Sequence, residues 1–131
     1  MKERFKNWKS PKIGEGKLTK WNWMVQGLEG LVLGEYTDIG AFSYINAKYG
    51  VTIGNHVEFG SHCSVYSEST IDGKTGAVVI GKNAKIGSHS TIMPNVTIGE
   101  NSIIGAYSFV NKDIPANVIA YGVPAKVIRK I

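Results

Sequence analysis

A chain of 131 residues has room for one small domain with its own core, but not for a second folded unit. Its 15 Lys and Arg against 10 Asp and Glu favour anionic partners; no nucleic-acid-binding module or groove-entering helix accompanies that charge, so a phosphorylated small molecule fits it better than nucleic acid. No apolar run approaches the ~18 residues of a membrane span, and the basic stretch 1–11 lacks the apolar segment of a signal peptide, so the sequence predicts a cytoplasmic protein with no membrane span.

Residues 1–32 carry no repeat. Trp8, Trp21 and Trp23 are concentrated there, with Ile13-Gly14 and Leu28 at irregular turns. The segment is expected to cap the open end of the repeating region that begins at Leu33, because an uncovered coil edge templates aggregation. A second reading makes the tryptophan cluster an acceptor pocket.

A six-residue beat then runs through Leu33, Ile39, Ile45, Ile53, Phe59, Val65, Ile71, Ile80, Ile86, Ile92, Ile98, Ile104 and Val110, and at eight of these thirteen positions the next residue is Gly. Four residues after these aliphatics comes a small or β-branched residue, among them Ser43, Cys63, Ser69, Thr75, Ser90, Ser102 and Ser108, with Tyr49 and Ile114 as the exceptions. A period of six fits neither a helix nor one long strand, but it fits short extended segments separated by tight turns. The chain therefore reads as all-β, a parallel β-solenoid over 33–115 with a short tail over 116–131. The large aliphatics point inward, and three hexads close a triangular coil of 18 residues, so residues that far apart lie above one another. The beat slips between Ile45 and Ile53 and again between Ile71 and Ile80, and the second slip, with the polar sequence DGKTGA over 72–77, reads as a loop expelled from a corner. Cys63 reads as a packed thiol in a reducing compartment.

The stretch Ala77 to Arg129, and within it Asp113-Ile114-Pro115 followed by Gly122-Val123-Pro124-Ala125-Lys126-Val127-Ile128-Arg129, resembles the hexapeptide-repeat acyltransferases that use acetyl-CoA, in their sugar and xenobiotic branch. The resemblance implies a left-handed parallel β-helix, a homotrimer, an active site between neighbouring subunits, acetyl-CoA as co-substrate without a metal, and a small acceptor such as a sugar or nucleotide-sugar. The left hand follows from the resemblance alone, since parallel crossovers are otherwise almost always right-handed.

By the same resemblance, backbone groups at Ser88 and Ala106 hold the pantetheine arm, Asn111 and Lys112 line the rest of the groove, and Lys126 and Arg129 face the nucleotide phosphates, where charge-assisted hydrogen bonds are strong. Two positions depart from the family pattern: its Pro-Gly is Pro94-Asn95, and a common Gly is Tyr107.

The family's catalytic histidine falls on Thr70. The base for acyl transfer is then one of His56, His62 and His89, a carboxylate such as Glu68 or Asp72, or absent. All three histidines follow an inward aliphatic by three residues, which is a corner position. Counting hexads places them at three different corners, which excludes a three-histidine zinc site within one chain. His89 matches a family histidine without a catalytic role, and His62, nearest the loop, is assigned as the base. Asn46 matches a family Asn that faces the acceptor, and Glu68 and Ser69 flank it.

Two functions are compatible with this pattern. In one, acetyl passes from acetyl-CoA to a hydroxyl or amine. Holding both substrates in line supplies on the order of 7–11 kcal/mol and a base adds roughly 10²–10⁴-fold, so an amine acceptor tolerates loss of the usual histidine. In the other, the chain is a non-catalytic binding or assembly subunit.

Overall fold

The computed structural model describes residues 2–131. Each hexad takes the form its beat demands: a strand of two or three residues, then a turn. Met24–Gln26, Tyr44–Asn46, Ser64–Tyr66, Thr91–Ile92 and Phe109–Val110 stack in parallel as one face. Leu31–Leu33, Val51–Ile53, Val78–Ile80 and Thr97–Ile98 form the second. Asp38–Ile39, Glu58–Phe59, Lys85–Ile86, Ile103–Ile104 and Val118–Gly122 form the third, and Ala125–Lys130 folds back antiparallel against its last strand. The winding is that of a left-handed parallel β-helix.

Down the middle runs an aliphatic column that includes Ile45, Ile53, Ile80, Ile92, Ile98 and Ile104, all buried. Beside it lies the column of small residues. Buried hydroxyls there must find partners, and they find them on neighbouring coils. Ser90 Oγ donates to the Gly105 carbonyl at 3.2 Å and accepts from the Ser108 N–H at 3.3 Å. Ser102 Oγ donates to the Pro115 carbonyl at 2.6 Å and accepts from the Val118 N–H at 3.2 Å. Cys63 is buried in the same column, its thiol 3.3 Å from the Gly87 carbonyl, and burial pushes its pKa up. The thiol is a packed group and a poor nucleophile.

The structure departs from the even 18-residue coil. Thr91 pairs with Phe109, a step of 18 residues, but Tyr44 pairs with Ser64, a step of 20, and Ser64 with Thr91, a step of 27. The early coils have three-residue strands and a longer corner at Ala47–Gly50, which absorbs the difference. Coiling also starts at Met24, ahead of Leu33, and runs on through Val118–Gly122 into the segment read as tail.

The largest correction concerns Ile71. It is no rung of the core but 97% exposed. Glu68–Ser69 and Lys74–Thr75 pair as a small antiparallel hairpin, so the expelled loop is longer than 72–77 and carries Ser69 and Thr75 out of the small-residue column. Val78 and Ile80 take the place on the second face, opposite Val51 and Ile53. An isoleucine six residues after Val65 matches the beat whether or not the chain stays in the coil there, which is why the phase alone misplaced it.

The N-terminal segment covers the first coil. Phe5 and Trp23 are buried, and the Trp8 indole N–H donates to the Thr37 carbonyl at 2.9 Å. Arg4 bridges Asp38 and Glu58, and Lys2 and Lys85 also reach Glu58. The Glu15 carboxylate accepts from the N–H groups of Leu28 and Gly27, which hold its pKa below the usual carboxylate range. Among the described residues, no helix is long and apolar enough to cross a membrane.

Candidate functional site

Where the third face turns into the first, one corner repeats up the coil. Phe42, His62, His89 and Tyr107 all have φ near +60° there, a conformation that non-glycine residues seldom adopt. The N–H groups of His62, His89 and Tyr107 donate to the carbonyls of Ala41, Ser61 and Ser88 on the coil before. Their rings stack in turn: His62 on His89 at 4.7 Å with planes 5° apart, and His89 on Tyr107 at 4.6 Å and 7°. Phe42 packs tilted against His62 at 5.3 Å.

This ladder overturns the expectation of three separate histidine corners. His62 and His89 share one corner, a single coil apart, and only His56 stands elsewhere, stacked on Tyr36. The expelled hairpin lengthens that coil to 27 residues and resets a count made in sixes. Among the described residues, no group of three or more His, Cys, Asp or Glu side chains converges.

Ser88 and Ala106 lie beside this stack on successive coils, as their spacing predicted. A Cβ on Gly87 would meet the Ala106 nitrogen at 2.4 Å, so only glycine lets the two coils close here. Among the described residues, the N–H groups of Ser88 and Ala106 and the carbonyl of Ala106 have no protein partner. They form a short line of free amide groups spaced by roughly one coil, about 4.8 Å. Tyr107, standing where the family pattern has Gly, adds an exposed ring to the line.

The basic tail reaches the same corner. Tyr121 packs against Gly105, and Lys126 pairs with Tyr121 across the antiparallel strands, while Arg129 pairs with Ile119 further along. Both cations are exposed, and among the described residues neither meets a carboxylate. Asn111 and Lys112 are exposed just after Phe109–Val110.

A second cluster lies at the other edge of the first face. Asn46 Oδ1 accepts from Ser67 Oγ at 3.3 Å and from the Lys48 N–H at 3.1 Å, while its amide NH₂ lies beside the Tyr44 hydroxyl. Glu68, at the root of the hairpin, pairs with Lys48 at 3.8 Å. The Tyr44 and Tyr66 rings meet at 5.7 Å, and the Tyr44 hydroxyl donates to Gln26 Oε1. Burial raises the pKa of Tyr44 against the opposing pull of the Asn46 side chain, with smaller raising contributions from Tyr66, Glu68 and Glu15, so the phenol keeps its proton as a donor. Tyr44, Tyr66, Gln26 and Ser67 were not singled out from sequence. The available signal was alternation: Tyr44 and Asn46 share the outer side of one strand, and Ser64 and Tyr66 that of the next.

Within one chain the two clusters stay apart. His62 sits in the turn that enters Ser64–Tyr66, whereas Asn46 and Glu68 lie at and just beyond the far end of that face, so within one chain His62 does not face them. Thr70 is exposed on the hairpin, and the Asp72 carboxylate is held low chiefly by the Ser69 hydroxyl, which makes it a weak base.

Residues 77–112 match the family described as bacterial transferase hexapeptide (six repeats). Over 92 residues the chain is 47% identical to a galactoside O-acetyltransferase of Escherichia coli K12, covering 63% of this chain and 45% of that protein. It superposes on a hexapeptide-repeat acetyltransferase from Vibrio cholerae complexed with acetyl coenzyme A, with a TM-score of 0.78 and 27% identity over 82% of this chain and 64% of the other. A maltose O-acetyltransferase from Clostridium difficile 630 gives a TM-score of 0.77 and 31% identity, over 84% and 64% of the two chains. The chain spans under half the length of the curated relatives it matches. With its hexads wound into stacked coils and residues 77–112 matching the hexapeptide model, the chain is similar to the hexapeptide-repeat acyltransferases.

Proposed function

We propose that this protein transfers an acetyl group from acetyl-CoA to a hydroxyl or amine of a sugar or nucleotide-sugar. The observation that carries this reading is the line of unpartnered backbone amides at Ser88 and Ala106, with free cations at its upper end. A pantetheine arm carries amides at intervals that such a ladder can meet. Lys126 and Arg129 take the nucleotide phosphates, and Asn111 and Lys112 the rest of the groove.

Asn46 and Glu68, with Tyr44 and Tyr66, bind the acceptor. Because these side chains and His62 lie on opposite edges of one face, a complete site needs a second copy of the chain, and a cyclic homotrimer brings one copy's acceptor cluster to the next copy's corner ladder. The acceptor oxygen or nitrogen then attacks the thioester carbonyl. Its proton passes to the imidazole of His62, the C–S bond breaks as the tetrahedral intermediate collapses, and the imidazolium gives the proton to the departing sulfur, so CoA leaves as the thiol. An amine that binds as the free base attacks without that help, so an amino-sugar suits a chain with Thr70 at the family's histidine position.

Thiol release from acetyl-CoA, measured against amino-sugars, neutral sugars and their nucleotide conjugates, tests the reading. Acceptor-dependent turnover is the expected result. The Thr70 position favours a second reading, a non-catalytic assembly subunit. Absence of CoA binding at millimolar concentration by calorimetry would decide for it.

A further inference from the structure

A cavity of about 620 Å³ lies between the N-terminal segment and the first coil, and shares no residue with the amide ladder or the Asn46 cluster. The chain's three tryptophans, Trp8, Trp21 and Trp23, all line it. Trp8 is fixed by its hydrogen bond to the Thr37 carbonyl, Trp23 is 3% exposed, and Trp21 is 49% exposed. Lys9, Lys12 and Lys20 line it as well, and among the described residues none of them is in an ion pair. The one carboxylate of the lining, Asp38, is already paired with Arg4 at 2.7 Å. Lys20 Nζ stands 5.0 Å over the Trp21 ring, so cation and aromatic face are held together.

Capping a coil calls for apolar cover, and Phe5 and Trp23 provide it. It does not call for three free ammonium groups around one hollow, where they repel one another. What satisfies both walls is a flat ring that stacks on indole and carries negative charge for the lysines. The volume falls within the range of small-molecule sites, about 300–1,000 Å³.

We propose that this cavity binds a nucleotide at a second site, separate from acyl transfer. The base lies against the indole faces and the phosphates lie among Lys9, Lys12 and Lys20.

Because every tryptophan is at the cavity, indole emission reports on it directly. Titration with UDP and with ADP is expected to change the emission saturably in the submillimolar range, with matching calorimetric heat. Uridine and inorganic pyrophosphate are each expected to bind at least tenfold more weakly. The exposed triple variant Lys9→Ala/Lys12→Ala/Lys20→Ala should keep its circular dichroism and its turnover and lose at least tenfold in UDP affinity. Unchanged emission at millimolar nucleotide, equal binding of pyrophosphate, or unchanged affinity in the triple variant overturns the proposal. CoA itself contains a nucleotide, so the titration is repeated in Lys126→Ala/Arg129→Ala. Persistence of the UDP signal there places it at the cap, and its loss assigns it to the CoA groove and overturns the proposal.

Discussion

His62 stacks on His89 with ring centroids 4.7 Å apart and planes 5° apart. The two share a corner because the hairpin after Tyr66 leaves the coil and the coil closes behind it. Packing and chemistry can be separated at this pair. His62→Phe preserves an aromatic stack and removes the base, and should lower kcat toward a hydroxyl acceptor by roughly 10²–10⁴-fold. His89→Phe should stay within a few-fold of the parent. Steady-state thiol release checks both, and equal losses would assign the histidines a structural role.

Among the described residues, Lys126 and Arg129 meet no carboxylate near the upper end of the amide ladder. If they hold CoA phosphates, each removes a charge-assisted hydrogen bond of about 1.5–3 kcal/mol when changed to Ala. Calorimetry should show CoA affinity down at least tenfold for each variant, with a weaker salt dependence. Unaltered affinity would put both side chains outside the groove.

Ser90 is buried, with one donor and one acceptor contact to the next coil. Ser90→Ala removes the hydroxyl and leaves the buried Ser108 N–H unpaired, a cost of about 1–3 kcal/mol. The urea midpoint should fall accordingly with the slope unchanged.

Ile71 and Ile80 hold the same place in the six-residue beat and opposite places in the fold, one 97% exposed and one 1% exposed. Ile71→Ala should leave stability within about 0.5 kcal/mol, and Ile80→Ala should cost about 2–5 kcal/mol. Chemical denaturation of the two variants compares them directly.

The Glu15 carboxylate is stabilised in its ionised form by the N–H groups of Leu28 and Gly27. Its folded pKa is therefore below the unfolded value. Its contribution is present above that unfolded value, about 4.3, and fades as pH falls through the folded one. The Tm advantage of the parent chain over Glu15→Gln should be largest near neutral pH and should shrink below about pH 4. A difference independent of pH would mean that the amide hydrogen bonds as well as the carboxylate does.

The column from Ile80 to Val110 was readable because each aliphatic, its following Gly and its small partner repeat a local geometry that needs no distant information. Ser88 and Ala106 were readable for the same reason, since the coil between them has no insertion. Ile71 was misread because a loop residue can keep the phase of the coil it has left. The histidine corners were misread because every position after the hairpin depends on where the chain re-enters, and pairing of Val78 with Val51 decides that. The Tyr44–Tyr66 pair escaped notice because outward-facing side chains leave no mark on the inward beat.

Sequence by itself determined the solenoid, its inward column, the amide ladder and the likeness of the tail to an acyltransferase family. These rest on short-range repetition, which a period records. Tertiary structure alone decided that His62 lies against His89, that Asn46 and Glu68 stand on the opposite edge from them, and that the three tryptophans enclose a basic cavity. Those relations depend on how many residues each corner expels, and that number is set by which strands find hydrogen-bonding partners across the coils.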